Sequence, residues 1–340
     1  MGTSSSVFLS TLSPLAAAGS STNTGPAAGP STRPAVRNGW DGKLFDYVRP
    51  DELVVEESTP TAGQCDWRGR PPQMTAAAAT GDVATTGLAE PRVVEGMNVT
   101  RLRFKDADGD VVPVLLCTPA GKAGPFPVVV AVHGLTSHKA QVAAQVAPQL
   151  TRRGFAVLCP DMPRHGERPG DPRSLVDRGD IAAAFAMGRR AVNDVRQTID
   201  LAEQRPDLDT SGGVSLVGYS LGSWINSVAG AADARVNAMV LMVGGAVDLP
   251  AMALLLPQVA ATDPRLALAH FAGRPLLMLN GRHDPTVPAD WARRLFAAAA
   301  EPKQQVWYDC GHYLPAEAYD RAAEWLGGLA KAATPCTDQA

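Results

Sequence analysis

Ser220 has the sequence context of a catalytic nucleophile. It is the centre of the segment Gly-Tyr-Ser-Leu-Gly at 218–222, which follows the apolar run 214–217 and precedes a helical pattern over 221–229. A serine on such a strand-to-helix turn, a nucleophile elbow, presents its hydroxyl above the end of a strand. Glycines suit the turn because it is strained and leaves no room for Cβ atoms beside the serine. We therefore expect acyl-transfer chemistry at Ser220, with the backbone N–H of Leu221 donating to the oxyanion.

A serine nucleophile needs a base to take its proton and an acid to orient that base. Asp284, in the segment Asn-Gly-Arg-His-Asp-Pro at 280–285, is the expected acid. His312, in the segment Cys-Gly-His-Tyr at 310–313, is the expected base. Each of the two follows a predicted strand, where open α/β sheets keep their catalytic loops. The sequence therefore predicts that Ser220, Asp284 and His312 meet as a catalytic triad.

Three other carboxylates compete with Asp284 for the role of the acid. Asp248 follows the preceding predicted strand, so it lies at the same edge of the predicted sheet. Asp290 starts a helical pattern and suits a helix N-cap, whereas Asp309 directly precedes the Cys-Gly-His turn. The sequence context of Asp284 favours it over all three.

Four of the other histidines are interpreted as structural, surface or lid residues: His133, His138, His165 and His270. His133 is expected to fix its loop by donating a hydrogen bond. His165 lies between two acids, but bracing of its loop is favoured over metal binding because these residues lack a standard metal-ligand spacing. His283 adjoins Asp284, and neighbours at a strand end tend to point apart, so His312 is the better base.

Two further segments complete a resemblance to a known superfamily. They are Val-His-Gly-Leu at 132–135 and Pro-Asp-Met-Pro-Arg-His-Gly-Glu-Arg at 160–168. With the motifs above they span about residues 98 to 332, and the chain resembles the α/β-hydrolase superfamily, most of all the esterases related to dienelactone hydrolase and acetyl xylan esterase. The resemblance implies the α/β-hydrolase fold, no cofactor, and the backbone N–H of Leu135 as a second oxyanion donor. Dienelactone hydrolase itself carries a cysteine nucleophile where this chain has Ser220.

Length and composition limit the architecture and the partners that the chain can have. The chain has 340 residues, 45% of them hydrophobic and 19% charged, with a net charge of −3. Such a chain can bury one large α/β domain with an appendage, or two average domains. The small negative charge gives no basic surface for nucleic acid, and no apolar run approaches the ~20 residues of a membrane span. The cysteines favour buried thiols over disulfides or a metal site, and they lie at Cys65, Cys117, Cys159, Cys310 and Cys336.

The chain divides by composition into four parts. Residues 1–40 are rich in Ser, Thr, Ala, Gly and Pro and are expected to be disordered. A signal peptide is the competing interpretation, but no basic residue precedes Arg33, so a cytoplasmic location is favoured over secretion. Residues 41–95 are expected to form an extended segment and linker, partly docked on a catalytic domain at 96–332. Residues 333–340 complete the chain as a loose tail.

Apolar patterning predicts alternating strands and helices, typical of a mostly parallel twisted sheet with helices on both faces. The predicted strands are 97–104, 111–116, 127–132, 155–159, 214–217, 238–243, 275–279 and 304–308. The predicted helices are 139–152, 186–204, 221–229, 289–299 and 316–330. The stretch 245–273 is too long for a simple connection and too apolar for a solvated loop, so we expect a lid. It packs as a small helical cap or lines a substrate pocket, for which the candidates are Tyr219, Leu249, Met252, Leu255 and Leu256.

The function that these patterns predict is a metal-free serine hydrolase that cleaves small-molecule carboxylic esters. Two alternatives stay open from the residues alone. One is an amidase or peptidase that uses the same triad, and the other is a non-catalytic binding protein built on a hydrolase scaffold. Neither the natural ester nor the oligomeric state follows from the sequence.

Overall fold

A sheet of eleven strands runs through the described part of the chain. The computed structural model describes residues 40–59, 93–94, 96–176, 181–247 and 256–333. The strands are β1 (Val55–Ser58), β2 (Val93–Val94), β3 (Met97–Lys105), β4 (Val111–Pro119), β5 (Phe126–Val132), β6 (Ala156–Pro160), β7 (Leu208–Asp209), β8 (Val214–Tyr219), β9 (Val236–Met242), β10 (Leu276–Gly281) and β11 (Lys303–Tyr308). The helices are α1 (Lys139–Arg152), α2 (Ile181–Glu203), α3 (Leu221–Ala232), α4 (Pro257–Ala261), α5 (Pro264–Leu268), α6 (Ala289–Ala298) and α7 (Ala316–Ala333). Two 3₁₀ turns cover Gly42–Phe45 and Pro172–Val176.

Neighbouring strands follow the order β1-β3-β4-β6-β5-β8-β9-β10-β11, with β2 beside β3 and β7 beside β5. The pairs from β1 to β6 are antiparallel. Every pair along the path from β6 through β5 to β11 is parallel. The carboxyl ends of β5, β8, β10 and β11 therefore meet at one edge, which is where α/β sheets place their functional loops.

Strand β5 shows why the sheet needs helices on both faces. Side chains alternate along a strand, so Val128, Val130 and Val132 pack in one core with α2, α3 and α6. Val129 and Ala131 pack in a second core with α1 and α7. Full burial of each valine contributes about 1.5 kcal/mol or more. A strand that is apolar on both sides is stable only between two layers of helices, and the predicted α/β class is confirmed.

Helix α2 buries the stripe that its sequence predicts. The predicted inward residues, each at most 1% exposed, are Val192, Val195, Ile199 and Ala202. The helix begins at Ile181, earlier than the prediction of residue 186. The sequence pattern did not predict residues 181–185 of α2 as helical, because they are rich in Ala and carry no clear apolar stripe.

Several short elements were not predicted from the sequence. Strands β1, β2 and β7 have two to four residues each, and α4 and α5 have five each. Segments of this length carry too few periodic positions for a pattern to show. Strand β1 forms at the sheet edge because it pairs with β3 in antiparallel register, a contact between residues far apart in the sequence.

Residues 40–58, which we call the N-terminal strap, lie against the main body. Phe45 is fully buried and Leu53 is 6% exposed, and both belong to the core that contains α2 and α3. At its start, the Trp40 indole N–H donates to the Ala261 carbonyl at 2.8 Å. The strap therefore joins the sheet edge, the helical layer and α4.

Some predictions concern residues outside the described part of the chain. These are the leading segment before Trp40, the linker at 60–92 and the tail after Ala333. Among the helices that the structure describes, none combines the length and apolarity needed to cross a membrane.

Candidate active site

Ser220 joins β8 to α3 in a strained conformation. Its φ of 54° and ψ of −113° lie outside the ordinary regions, at a cost of about 1–3 kcal/mol for a residue other than glycine. The Ser220 N–H donates to the Met242 carbonyl at 2.8 Å, which helps to hold the turn. A Cβ on Gly218 would clash with the carbonyl of Gly222, and one on Gly222 with the carbonyl of Val132. Both glycines are therefore required by packing, as the sequence predicted.

The structure brings Ser220, His312 and Asp284 into one hydrogen-bonded line. His312 Nε2 lies 3.0 Å from Ser220 Oγ. His312 Nδ1 lies 2.7 Å from Asp284 Oδ2, and the two side chains are 17% and 1% exposed. With Nδ1–H donating to the carboxylate, Nε2 faces the hydroxyl as an acceptor. The arrangement can take a proton from Ser220 as its oxygen attacks an electrophile.

The Asp284 carboxylate is oriented by its own loop. Its Oδ1 accepts from the Thr286 N–H at 2.8 Å and from the Val287 N–H at 2.9 Å. These bonds leave Oδ2 for His312. The sequence holds the signal for this turn, since an Asp followed by Pro commonly accepts from backbone N–H groups two and three residues later.

Two of the competing acids have other partners. Asp309 pairs with His283 at 2.7 Å, with side chains that are 87% and 71% exposed. Asp290 pairs with Arg293 at 2.8 Å, also at the surface. Asp248 lies outside the described residues. The exposed His283–Asp309 pair resembles the acid and base of a triad but has no contact with Ser220 among those described.

Tyr219 has a contact that the sequence did not suggest. It is 7% exposed and packs in the core with α1 and α7, and its place in the substrate pocket stays a prediction. Its hydroxyl donates to the His312 carbonyl at 2.6 Å. The residue before the nucleophile therefore fixes the loop that carries the base. Nothing local in the sequence indicates this contact, because it joins two distant loops.

The two predicted oxyanion donors belong to chain segments next to Ser220. Leu221 is the first residue of α3, where backbone N–H groups have no acceptor within the helix. Leu135 follows Gly134, and a Cβ on Gly134 would lie 3.4 Å from Ser220 Cβ. The loop after β5 therefore passes close to the nucleophile, and a glycine at 134 leaves the space beside the serine open.

Two of the remaining histidines are buried near this loop. His133 is fully buried, and its Nδ1–H donates to the Gly134 carbonyl at 2.8 Å. His165 is 1% exposed, and its Nδ1–H donates to the Pro163 carbonyl at 2.9 Å. Among the described residues, no group of three or more His, Cys, Asp or Glu side chains is arranged to hold a metal ion.

His133 makes the stability of the protein depend on pH. Burial lowers its pKa to about 3, whereas in the unfolded chain it titrates near ~6.5. Below about pH 6.5 the unfolded chain therefore binds a proton that the folded chain does not, and the free energy of unfolding falls as the pH falls. The loss reaches about 2–3 kcal/mol near pH 4.5 for this residue. Urea unfolding at pH 7 and near pH 4.5 measures it.

The control for this prediction is the variant His133→Gln, which cannot titrate. Its free energy of unfolding should change less between the two pH values than that of the wild type, by about 2–3 kcal/mol. Equal changes in the two proteins would show that His133 does not carry the effect. The comparison concerns the change with pH, so a uniform loss of stability in the variant does not affect it.

Only part of the predicted lid can be placed. Leu256 precedes α4 and is 43% exposed. The other predicted lid side chains lie at 248–255, outside the described residues, and they are Leu249, Met252 and Leu255. Further along, Leu268 and Phe271 are buried in the core with α3, and the Trp224 indole N–H donates to the Thr262 carbonyl at 2.6 Å. The described end of the lid therefore packs on α3.

Comparison with known proteins supports the reading of the motifs. A model of the dienelactone hydrolase family matches residues 112–316. Esterase YjfP of Escherichia coli (strain K12) is 29% identical over 241 residues, which cover 63% of this chain and 94% of that protein. Acetyl xylan esterase 1 from Thermoanaerobacterium sp. aligns with a TM-score of 0.61 at 16% identity, over 85% of this chain and 92% of its own. An acetyl xylan esterase from Paenibacillus sp. R4 aligns with a TM-score of 0.57 at 18% identity, over 84% of this chain and 98% of its own. The predicted resemblance and the α/β-hydrolase fold are thereby confirmed.

Proposed function

The chain belongs to the dienelactone hydrolase family, and from this premise we propose that it is a serine hydrolase that cleaves carboxylic esters through an acyl-enzyme intermediate. The observation that carries the proposal is the line from Ser220 Oγ to His312 Nε2 at 3.0 Å and from His312 Nδ1 to Asp284 Oδ2 at 2.7 Å. A hydroxyl, an imidazole and a carboxylate in this order are the parts of a nucleophilic triad.

In the first half of the reaction, Ser220 Oγ attacks the carbonyl carbon of the ester. His312 Nε2 takes the hydroxyl proton, and Asp284 stabilises the imidazolium that forms. The tetrahedral intermediate then collapses, the bond to the leaving oxygen breaks, and His312 returns its proton to the departing alkoxide. The products of this half are an alcohol and an acyl group bonded to Ser220 Oγ.

In the second half, the alcohol has left the site and a water molecule attacks the acyl group on Ser220. His312 takes a proton from the water as its oxygen attacks the acyl carbon. The second tetrahedral intermediate releases the carboxylic acid, and Ser220 Oγ receives the proton from His312. The position of His312, which is 17% exposed in its side chain, lets water approach while Asp284 beneath it stays shielded.

Negative charge on the acyl oxygen must be stabilised in both halves. The proposed donors are the N–H groups of Leu221, which follows Ser220 in the chain, and of Leu135, which follows Gly134 on the loop that passes close to Ser220. The Leu221 N–H also benefits from the partial positive charge at the start of α3. Removal of one such donor from an acyl-transfer enzyme costs about 10²–10³ in kcat, so the positions of these N–H groups contribute substantially to the rate.

The substrate is proposed to be a small-molecule ester with a small to medium acyl group. Two apolar side chains are exposed, one at the described end of the predicted lid and one beside the base in the sequence. Leu256 at the lid is 43% exposed, and Tyr313, next to the base, is 77% exposed. Apolar surface beside a polar reacting centre is typical of pockets that bind organic esters. Leu256 and the predicted lid residues at 248–255 are the candidates for contact with the acyl chain.

A panel of matched substrates tests the proposal. We expect p-nitrophenyl esters from acetyl to octanoyl to be hydrolysed. Each added methylene should strengthen binding of the transition state by up to ~0.8 kcal/mol and so raise kcat/KM, until the pocket is full. Matched p-nitroanilides should be much poorer substrates, because an amine leaves less readily than an alkoxide. Acetylated sugars extend the panel to other alcohols, and Ser220→Ala is the background control. Anilides cleaved as fast as esters would favour an amidase, and a panel with no turnover would favour a binding protein.

A further inference from the structure

Two loops, one of which passes close to Ser220, are joined to each other by histidines. The first covers residues 133–138, follows β5 and carries Leu135; we call it the oxyanion loop. The second covers residues 161–168, follows β6 and carries His165; we call it the bracing loop. The function proposed above uses the oxyanion loop but gives no role to either buried histidine.

The hydrogen bonds between the two loops are reciprocal. His133 Nε2, on the oxyanion loop, accepts from the Met162 N–H of the bracing loop at 3.1 Å. His165 Nε2, on the bracing loop, accepts from the Thr136 N–H of the oxyanion loop at 3.2 Å. The two ring centroids lie 4.9 Å apart. Because each Nδ1–H donates within its own loop, each ring links the backbone of one loop to the backbone of the other.

Both histidines must be neutral to make these contacts, since an imidazolium has no free acceptor nitrogen. Burial lowers the pKa of both rings. Both rings are at most 1% exposed; the bond from the Met162 N–H is buried, whereas the bond from the Thr136 N–H is partly buried because Thr136 itself is exposed. Loss of the His165 acceptor removes the fixed partner of the Thr136 N–H, so the oxyanion loop loses a link to the bracing loop.

Thr136 is the point where the oxyanion loop needs support. It is a β-branched residue with a φ of 61°, a left-handed conformation that side chains of this type rarely adopt. It directly follows Leu135, the proposed donor. Its N–H bond to His165 offsets part of the strain. Without that bond, relaxation of Thr136 would rotate the peptide that precedes it, and the Leu135 N–H would turn with the chain.

The far ends of the two loops are tied by a separate contact. Asp161 accepts from both the backbone N–H and the Nζ of Lys139, at 2.8 and 2.6 Å, and from the Glu167 N–H at 3.1 Å. These bonds fix the start of α1 and the end of the bracing loop. They lie beyond Thr136 along the chain, so the His165 bond is the tie nearest to Leu135 on that side.

We infer that His165 is a positioning residue for ester hydrolysis: by accepting from the Thr136 N–H it holds the Leu135 N–H where the oxyanion forms. The inference rests on the proposed function. It predicts that loss of the His165 acceptor weakens binding of the charged tetrahedral state more than binding of the substrate. The reason is that the Leu135 N–H stabilises the ester oxygen mainly when that oxygen becomes negative.

The test compares His165→Leu, which removes the acceptor, with His165→Gln, whose side-chain oxygen reaches about as far as Nε2. The probe is a trifluoromethyl ketone analogue of a good ester substrate, which forms a tetrahedral oxyanion with the active serine. For His165→Leu we expect its inhibition constant to rise and kcat to fall by about 10- to 100-fold, with KM nearly unchanged. For His165→Gln most of the loss should be recovered.

A matched control separates positioning from stability. Arg274 Nη1 donates to the carbonyls of Gly230, Asp233 and Val236 at the far end of α3, about 15 Å along the helix from Ser220. Arg274→Met should lower the melting temperature without changing inhibitor affinity. If His165→Leu gave the same pattern as Arg274→Met, or matched the wild type, the positioning role would be wrong.

A measurement on the wild type keeps the inference testable should His165→Leu fail to fold. Imidazole ¹⁵N NMR should show His165 with its proton on Nδ1 and Nε2 free to accept; a proton on Nε2 would overturn the inference. Failure of the proposed function gives a different outcome, in which the wild type itself neither binds the ketone nor hydrolyses any ester.

Discussion

Replacing Ser220 or His312 with alanine should lower kcat on an activated ester by about 10⁴-fold or more. The expectation follows from the 3.0 Å contact between His312 Nε2 and Ser220 Oγ. Ser220 needs His312 to take its proton, and His312 has no hydroxyl to activate without Ser220. The double variant should be about as impaired as either single one, since members of a triad act as a unit. Single-turnover kinetics with a p-nitrophenyl ester measures the effect, and circular dichroism checks that the fold is retained.

The exposed pair of His283 and Asp309 provides the matched control. These two residues resemble the base and acid of the triad, with His283 Nε2 2.7 Å from Asp309 Oδ1, but they lie at the surface. His283→Ala and Asp309→Asn should both leave kcat close to that of the wild type. A large loss in His283→Ala together with a small one in His312→Ala would reverse the assignment of the base.

Deleting the N-terminal strap should give the largest effect on stability. Removal of residues 1–58 takes away Phe45 and Leu53, and burial of such side chains contributes about 1.5–3 kcal/mol each. It also removes β1 and so exposes the edge of β3. We expect the free energy of unfolding to fall by about 4 kcal/mol or more, as measured by urea denaturation.

A truncation that ends at residue 39 is the control, because it keeps the contacts of Trp40, Phe45 and Leu53. Its unfolding midpoint should match that of the full chain. Phe45→Ala in the full chain isolates one contact and should cost about 3 kcal/mol or more. Equal midpoints for the two truncations would mean that the strap contributes no stability.

The residues proposed for catalysis were accessible from the sequence because their signals are local. Ser220 lies in a short motif, and Asp284 and His312 each follow a recognisable apolar strand. The order of strands did not have to be known, since parallel strands bring their carboxyl ends to one edge in any order. The same local logic identified the buried stripe of α2.

The contacts that hold the site together were not accessible in this way. The Tyr219 hydroxyl reaches the His312 carbonyl, and His165 reaches the Thr136 N–H, across loops that are distant in the sequence. No pattern of period 2 or 3.6 encodes a side chain that bonds to the backbone of another loop. Partial docking was expected of residues 41–95, but the pairing of the strap with β3 depends on the assembled sheet. The division at 41–95 and 96–332 stays a prediction, because residues 60–92 lie outside the described part.

Covalent labelling of Ser220 tests the central claim most directly. A fluorophosphonate phosphonylates a serine, with release of fluoride, only where a base activates the hydroxyl and N–H donors stabilise the charged intermediate, so it reports on the assembled site. We expect a single adduct per chain in the intact mass, located by peptide mapping on Ser220, with loss of esterase activity in step with labelling. Ser220→Ala should take up no adduct. An active preparation that stays unlabelled, or that carries its adduct on another residue while activity is lost, would contradict the proposed mechanism.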